Sequence, residues 1–339
     1  MKNNLIVLFL ALAVLAACRF ASDGSPTTEV QPTGGTITST AAPIEDMIAP
    51  GDYELSLGSE TETRDVIVHI PPAYDGSLQL PLLIVLHGGA GNGEQIQRLA
   101  ELDADADEYG FVVAYPDGSG RLGERLLTWN AGHCCGFALT NQVDDVAFID
   151  LLIDRLLEHY AIDPARVYIT GISNGGMMAY RAGAELAAKV AGIAPIAGSI
   201  GGRITENGFE VVPDKPGSAV SVIAFHGRQD QHVLYEGGIG PAEITEGRVD
   251  ISVQESINFW LDANGCDFQP ETETRADGNI VIDTYGGCDG GVEVVLVTIV
   301  DGGHAWPGAS RGLVSDQPTQ DISANQIMLE FFFAHPKGQ

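Results

Sequence analysis

A serine flanked by glycines follows an apolar run in the middle of the chain. Gly171, Ser173 and Gly175 form the pattern G-x-S-x-G, with RVYIT before it and a stretch of helical periodicity after it. Between a strand and a helix, this pattern makes a tight turn that strains the serine backbone and exposes its hydroxyl at the helix N-terminus. The free N–H groups of that terminus stabilise negative charge. The pattern predicts that Ser173 is a nucleophile.

A nucleophilic serine needs a base, and the base needs a carboxylate that orients it. Asp230 follows the apolar run SVIAFHG, and His304 follows VVLVTIVDGG in a loop rich in glycine and proline. The chain order serine, aspartate, histidine is that of the α/β-hydrolase triad. We therefore predict that Ser173, Asp230 and His304 are catalytic. Asp301 is the rival acid, but it lies three residues before His304 and has little room to reach the ring from behind.

Acyl transfer also needs two fixed hydrogen-bond donors for the oxyanion, each contributing about 3–4 kcal/mol. The backbone N–H of Asn174, directly after the serine, is predicted to be the first donor. The loop LHGGAGN at 86–92 follows an early apolar run and has the form of an HGG-type oxyanion loop. We expect the second donor to be the backbone of Gly89 or Ala90.

Three ring-bearing side chains are further candidates: His87 in the HGG loop, Trp306 two residues after His304, and Trp129 in a stretch of its own. We expect them to contact the substrate. For Trp129, in WNAGHCC, a place in the core is an equally good interpretation, because tryptophan is commonly part-buried in either role.

An acidic stretch, LDADADEYG, raises the question of a calcium loop. Asp103, Asp105 and Asp107 have the right alternation, but Glu108 stands where the turn glycine belongs and no glutamate occupies the twelfth position. We interpret this stretch as a solvated helix face. No metal ion and no other cofactor is predicted.

The elements that must position these residues alternate along the chain. The apolar runs are near-continuous, as in strands covered on both faces by helices. This alternation predicts an α/β fold with a mostly parallel central sheet and helices on both faces, with active groups at the carboxyl ends of the strands. The predicted strands are 64–70, 80–88, 111–118, 166–171, 190–198, 221–227 and 294–303, and the predicted helices are 93–109, 143–160, 174–189, 255–264 and 325–335.

The first 50 residues have a different character. Lys2 precedes an apolar stretch that is too short to span a bilayer and suits a secretory signal, and Leu15-Ala16-Ala17-Cys18 resembles the lipobox of bacterial lipoproteins. That resemblance implies cleavage before Cys18 and a lipid on its sulfur; an ordinary signal peptide is the alternative. We expect a signal peptide at 1–17, a flexible Ser/Thr/Gly/Pro-rich tether at 18–50 and one catalytic domain at 51–339. The location would be extracellular or at the cell surface, with the lipid as the only membrane contact.

Four further cysteines, an even number, suggest disulfides in an exported chain, with three possible connectivities. Cys266 and Cys288 flank a polar segment and are the predicted pair. Cys134 and Cys135 are adjacent, so they either bridge each other or have separate partners.

Charge limits the partners of this protein. The sequence has 46 acidic residues against 17 Lys and Arg, a formal net charge of −29. Nucleic acid and anionic membrane surfaces would repel such a field, so we expect neither as a direct ligand.

Seven stretches between about residue 65 and 310 together resemble the group of feruloyl esterases and polyhydroxybutyrate depolymerases, related to carbohydrate esterase family 1. The resemblance implies an α/β-hydrolase fold, the triad named above and no cofactor. Relatives often have a cysteine in the helix after the nucleophile, where this chain has Ala184. The stretches are LLIVLHGGAGN, ADEYGFVVAYPDG, WNAGHCCGFA, VDDVAFIDLLIDRL, RVYITGISNGGMMAYRAGAEL, HGRQDQHVLYEGG and DGGHAWPG.

These observations predict a secreted serine carboxylic-ester hydrolase that works through an acyl-enzyme. The resemblance implies feruloyl or acetyl esters of plant polysaccharides, or polyhydroxyalkanoate oligomers, as substrates. Two alternatives stay open: a serine peptidase or acyltransferase on the same fold, and a non-catalytic domain that only binds a polymer.

Overall fold

The structure is a computed structural model that describes residues 49–59, 62–123, 125–241, 247–311 and 315–338. The predicted signal peptide, Cys18 and the tether up to residue 48 lie outside the described residues. Within the described part of the chain, no helix is both long and apolar enough to cross a membrane.

A ten-stranded sheet runs through the middle of the fold. Its strand order is β1-β2-β4-β3-β5-β6-β9-β14-β13-β12, and the six strands from β4 to β14 in that order are mutually parallel. Two antiparallel strands extend it at each edge. The strands are β1 (Gly51–Ser59), β2 (Glu62–Ile70), β3 (Leu80–Leu86), β4 (Val112–Pro116), β5 (Ile162–Ile172), β6 (Gly192–Ile196), β9 (Ser221–Gly227), β12 (Glu271–Arg275), β13 (Ile280–Tyr285) and β14 (Val294–Ile299).

A second sheet of four two-residue strands, in the order β10-β11-β7-β8, forms from the segments around 199–219 and 236–250. Its strands are β7 (Gly202–Arg203), β8 (Glu210–Val211), β10 (Gly238–Ile239) and β11 (Val249–Asp250). Both segments are polar and rich in glycine, and they lack the apolar runs from which strands are recognised.

Helices cover both faces of the central sheet. Helices α4, α5 and α6 pack with the core cluster on one face, and α1, α2 and α7 pack with the cluster on the other. The helices of the described residues are α1 (Gly93–Ala100), α2 (Leu102–Tyr109), α3 (Gly136–Thr140), α4 (Asp145–His159), α5 (Asn174–Glu185), α6 (Val253–Asn264) and α7 (Ala324–Ala334).

Strand β3 shows why near-continuous apolar runs were the right signal. Leu82, Ile84 and Leu86 belong to the first core cluster, whereas Leu83 and Val85 belong to the second. Successive side chains of a strand point to opposite faces of the sheet. Both faces therefore need apolar residues when helices cover both.

Two features of the fold differ from the sequence prediction. The single helix predicted at 93–109 is two helices, because Glu101 adopts a left-handed conformation with φ 53° and its N–H closes α1 on Gln97. The elements that were not predicted are strands β1, β12 and β13, the four short strands of the second sheet and helix α3. Every residue of β12 (sequence ETETR) is exposed, so that strand has no apolar face from which to recognise it.

Candidate active site

Ser173 lies in a tight turn between β5 and α5. Its backbone has φ 58° and ψ −122°, a conformation that non-glycine residues rarely adopt and that costs free energy. The turn can pack here because Gly175, two residues after Ser173, has no side chain: a Cβ on Gly175 would overlap the backbone oxygens of Leu86 and His87 at the end of β3. The amide of Ser173 donates to the carbonyl of Ile196 at 2.9 Å, which ties the turn to β6.

The side chain of Ser173 does not cap the helix that it precedes. The residue precedes the first turn of α5, where serine commonly caps the helix through its side chain. Here it makes no capping bond, and its Oγ has no hydrogen-bond partner among the residues that the structure describes. Ser173 is therefore a half-buried residue at the N-terminus of α5 whose hydroxyl makes no hydrogen bond that stabilises the described part of the fold.

Asp230 and His304 are in direct contact. His304 Nδ1 lies 2.7 Å from Asp230 Oδ2, and both side chains are almost fully buried. The other oxygen, Oδ1, accepts the backbone N–H groups of His232 at 2.7 Å and Val233 at 2.9 Å. Burial opposes ionisation of this carboxyl group, but the nearby His304 and His226 rings and the Val233 amide outweigh it and lower the pKa of Asp230. The carboxylate is therefore held charged and in one orientation.

The backbone of His304 is fixed by a different acid. Its amide donates to Asp316 Oδ2 at 2.7 Å, and the amide of Asp316 donates to the carbonyl of His304 at 3.0 Å. With Nδ1–H directed at Asp230, the ring has its lone pair on Nε2, the tautomer that a general base requires. The rival acid Asp301 is exposed, and its backbone amide donates to the side chain of Asn279. Its carboxylate makes no hydrogen bond to His304.

The three predicted residues follow the carboxyl ends of three parallel strands, so they lie at the same end of the sheet. Strands β5, β6, β9 and β14 are consecutive and parallel, so the segments after β5, β9 and β14 all leave at their carboxyl ends. This is where parallel sheets gather active groups. The structure joins Asp230 to His304 by a hydrogen bond; it shows no bond between Ser173 and His304 among the described residues. Such a bond is often long until substrate is in place.

The HGG loop lies against the nucleophile turn. A Cβ on Gly88 would stand 3.6 Å from Ser173 Cβ, and one on Gly89 would stand 3.7 Å from Asn174 Cβ. Asn174 begins α5, so its amide has no acceptor within the helix. The amide of Gly89 likewise has no acceptor in the described part of the chain. These two N–H groups are available as a pair.

Ala90 does not fit the role predicted for it. Its amide donates to the carbonyl of Leu127 at 2.8 Å. An amide already held by a backbone acceptor is not free for an oxyanion, and this leaves Gly89 as the candidate second donor.

His87 and Trp129 are not placed to contact a substrate, which corrects that prediction. Both are buried, with 1% and 0% exposure, and their rings lie 5.0 Å apart. The amide of Gly118 donates to His87 Nε2, so the proton sits on Nδ1 and bonds to the carbonyl of Gly88. Burial lowers the pKa of His87 to about 4, which keeps the ring neutral. The core interpretation of Trp129 is the correct one.

Trp306 is likewise a core residue and not a substrate contact. It is 1% exposed, it packs in the cluster that holds α7, and its Nε1 donates to Asn325 Oδ1 at 2.9 Å. Its position two residues after His304 had suggested the pocket. The loop turns this side chain inward instead.

His232 and His226 are site residues that the sequence did not identify. The His232 ring stacks on His304, and His226 Nε2 lies 3.5 Å from Asp230 Oδ2 while it bonds to the carbonyl of Val233. The segment HGRQDQHV carries two histidines around one aspartate. That density was the only signal available.

Both cysteine pairs form bridges. Cys266 is joined to Cys288, the predicted pair, and Cys134 is joined to its neighbour Cys135. Cys134 also lies against the site, because Asn174 Nδ2 is 3.9 Å from its sulfur.

The acidic stretch of α2 makes specific contacts and is not simply a solvated face. Asp103 accepts the hydroxyl of Tyr115 at 2.6 Å, and Asp107 lies 2.9 Å from His69 Nε2. Among the described residues, Asp52, His69 and Asp103 are the group spaced closely enough for a cation. The Nδ1 of His69 already lies 2.6 Å from Asp52, so both ring nitrogens face carboxylates and no lone pair is free for a metal.

Comparison with known proteins shows which proteins this chain resembles. Residues 66–240, which include Ser173 and Asp230, match the family model described as esterase PHB depolymerase. The chain is 34% identical to feruloyl esterase B of Piromyces equi over 245 residues, 71% of this chain and 42% of that protein. It is 30% identical to the protein NocK of Nocardia uniformis subsp. tsuyamanensis over 95% of this chain and 96% of that one.

Among solved structures, an acetyl xylan esterase from Aspergillus awamori superposes with a TM-score of 0.56 at 16% identity, over 84% of this chain and 99% of that one. This likeness, with the sheet order above, confirms the predicted α/β-hydrolase fold. By this family match, which spans just over half of the sequence, the chain belongs to the esterase PHB depolymerase family.

Proposed function

We propose that this protein is a serine carboxylic-ester hydrolase with Ser173, His304 and Asp230 as nucleophile, base and orienting acid. The observation that carries the proposal is the 2.7 Å contact between His304 and buried Asp230, at the sheet edge where the strained Ser173 turn leaves β5. A buried carboxylate bonded to Nδ1 sets the ring to accept a proton at Nε2. Membership of an esterase family supports the same chemistry.

The reaction follows from these roles. Ser173 Oγ attacks the ester carbonyl carbon while His304 Nε2 takes its proton, and the oxyanion accepts the N–H groups of Gly89 and Asn174. The tetrahedral intermediate collapses, the C–O bond breaks, and the alcohol leaves with the proton from His304. Water then attacks the acyl-enzyme and gives its proton to Nε2. The acid is released as Oγ recovers that proton. Asp230 stays ionised and stabilises the imidazolium throughout.

The proposed substrates are feruloyl or acetyl esters of plant polysaccharides, or polyhydroxyalkanoate oligomers. Support comes from the names of the relatives, a feruloyl esterase and an acetyl xylan esterase, and from the family description. The formal charge of −29 argues against nucleic acid as a partner.

A labelling experiment followed by an ester panel tests this proposal. A fluorophosphonate should label the wild type and not Ser173→Ala, and p-nitrophenyl acetate should be hydrolysed only by the wild type. Methyl ferulate, acetylated xylan and hydroxybutyrate oligomers then separate the substrate classes. Inactivity on all three would remove the substrate assignment, and activity retained in Ser173→Ala would remove the mechanism.

We also propose that the protein is exported and carries a lipid anchor at Cys18. The support is the short apolar stretch near the N-terminus and the sequence Leu-Ala-Ala-Cys, which ends at Cys18. Growth with radioactive palmitate should label the full chain in a bacterial host. Cys18→Ala should abolish the label and release the protein from the membrane fraction. A label that survives this substitution would contradict the anchor.

A further inference from the structure

The side chain of Asn174 pairs with the backbone of a distant segment. Its Oδ1 accepts the amide of Trp129 at 2.7 Å, and its Nδ2 donates to the carbonyl of Trp129 at 2.9 Å. The carboxamide therefore binds both polar groups of one residue, as a neighbouring strand would. Asn174 is 2% exposed, so these bonds lie out of water, where an unmade hydrogen bond is costly.

The chain of contacts continues from Trp129 to the HGG loop. The indole Nε1 of Trp129 donates to the carbonyl of His87 at 3.0 Å. The ring of His87 lies 2.7 Å from the carbonyl of Gly88 through Nδ1 and accepts the amide of Gly118 at 2.9 Å through Nε2. A neutral histidine satisfies both bonds at once, and the low pKa caused by its burial keeps it neutral.

The opposite side of the same loop is held as well. The amide of Ala90 donates to the carbonyl of Leu127 at 2.8 Å, and the amide of Leu127 donates to the carbonyl of Gly91 at 3.3 Å. The loop 87–91 is therefore tied on both sides to the segment 127–129. That segment is tied in turn to the first residue of α5.

The groups that this arrangement fixes are the two free amides described above, those of Gly89 and Asn174. Each belongs to a segment bound to Trp129, one through His87 and the other through the Asn174 carboxamide. Donors to an oxyanion act because they are already in place before charge develops. A displacement of about 1 Å in such a site can lower the rate by roughly 10²-fold.

We propose that the Asn174 carboxamide, the Trp129 indole and the His87 ring form a positioning network that sets the distance between the two oxyanion donors. This inference rests on the proposed esterase function. The three side chains touch no substrate in this scheme. They act through the backbone of Gly89 and Asn174.

Two variants test the network, and each keeps the backbone amide at 174. Asn174→Ala removes both bonds to Trp129, and Trp129→Phe keeps an aromatic ring but removes the donor to His87. With p-nitrophenyl acetate we expect Asn174→Ala to lower kcat by about 30-fold and Trp129→Phe by about 5-fold, with KM changed less than about twofold.

The fold supplies a matched control in Asn264. Its side chain makes the same double pairing, accepting the amide of Val220 at 3.2 Å and donating to its carbonyl at 2.8 Å, and it is fully buried. Val220 precedes β9, so it lies at the amino ends of the parallel strands, whereas the site lies at their carboxyl ends. Asn264→Ala should lower the melting temperature as Asn174→Ala does and leave kcat within twofold of the wild type.

Phenylboronic acid gives a readout that general loss of stability would not move. Ser173 Oγ bonds to boron, its proton passes to His304, and a boron-bound oxygen occupies the oxyanion position. Inhibition should weaken in Asn174→Ala and in Trp129→Phe by the same factors as kcat, and should be unchanged in Asn264→Ala.

Values of kcat and boronate affinity within twofold of the wild type in both Trp129→Phe and Asn174→Ala would overturn the network. If Asn174→Ala does not fold, the Trp129→Phe result decides. Wild type and Ser173→Ala are measured alongside: an inactive wild type, or an active Ser173→Ala, means that the esterase proposal itself has failed, whereas normal behaviour of both with unaffected network variants refutes only the positioning role.

Discussion

The imidazole rings of His232 and His304 stack face to face, with centroids 4.6 Å apart and ring planes 5° apart. One carboxylate holds both residues, because Asp230 bonds to the ring of His304 through Oδ2 and to the backbone of His232 through Oδ1. Burial and the nearby His304 ring lower the pKa of His232. His232 is therefore neutral near pH 7 and covers the face of His304 without adding a charge.

The first prediction concerns this stack. His232→Ala removes the surface that limits rotation of the His304 ring, so we expect kcat for p-nitrophenyl acetate to fall by about 3- to 10-fold. His232→Phe keeps a flat ring and should stay within about twofold of the wild type. An equal loss in both variants would mean that the polar atoms of His232, and not its stacking, are what His304 needs.

The second prediction separates the two candidate acids. Asp230→Asn keeps the shape but leaves His304 with the wrong tautomer, and we expect kcat to fall by roughly 10⁴-fold, as in serine proteases. Asp301→Asn is the matched control and should change kcat by less than twofold, because Asp301 is exposed. The reverse order of effects, measured at saturating ester, would show that the acid is misassigned.

The third prediction concerns the turn that holds Ser173. A Cβ at Gly175 would overlap the backbone oxygens of Leu86 and His87, neither of which can move without disturbing β3. Gly175→Ala should therefore lower the free energy of unfolding by about 1–3 kcal/mol and abolish measurable esterase activity. Gly217→Ala, where nothing lies within 4 Å of the added Cβ, serves as the control in urea titrations and should change neither quantity appreciably.

The fourth prediction is a loss of stability in mild acid. Burial lowers the pKa of His87 from 6.5 to about 4 in the folded protein. Below pH 6.5 the unfolded chain binds a proton that the folded protein does not, so the free energy of unfolding falls as the pH drops from 6.5 to 4. The full difference corresponds to roughly 3 kcal/mol.

His87→Gln is the variant that checks this pH dependence. Glutamine does not titrate, so urea titrations between pH 7 and pH 4.5 should show a shallower loss of stability than in the wild type. The lowered pKa values of His226 and His232 act in the same direction in both proteins and cancel in the comparison. Identical slopes would mean that His87 binds its proton as readily in the folded protein as in the unfolded chain.

His69 also makes stability depend on pH, but its effect has the opposite sign to that of His87 and falls in a different pH range. Its partial burial lowers its pKa, but hydrogen bonds with Asp52 and Asp107 outweigh this and raise it above 6.5. The protonated ring joins β1 to α2, so its contribution is complete below pH 6.5 and is lost as the pH rises through the raised value. It therefore does not mask the effect of His87.

Much of the site was predictable because its signals are local. The run SVIAFHG, which is buried along its whole length, can be recognised as a strand from its own residues. The serine between two glycines can be recognised in the same way, because the sterics of a turn depend on near neighbours in the sequence. Chain order admitted both Asp230 and Asp301, and the spacing of only three residues between Asp301 and His304 then favoured Asp230 as the acid that meets His304. The roles of these residues stay predictions, whereas the contact between Asp230 and His304 is a feature of the fold.

What the sequence left undecided depends on contacts between distant segments. Trp129 and Trp306 were both predicted to contact the substrate, yet both side chains are buried in the core, because the direction of a side chain follows from what packs against it. From the sequence, the amides of Gly89 and Ala90 were equally good candidates for the second oxyanion donor. The structure distinguishes them, because the amide of Ala90 donates to the carbonyl of Leu127. Only the tertiary structure chooses between such neighbours, since burial and backbone pairing are set by parts of the chain that no local pattern specifies.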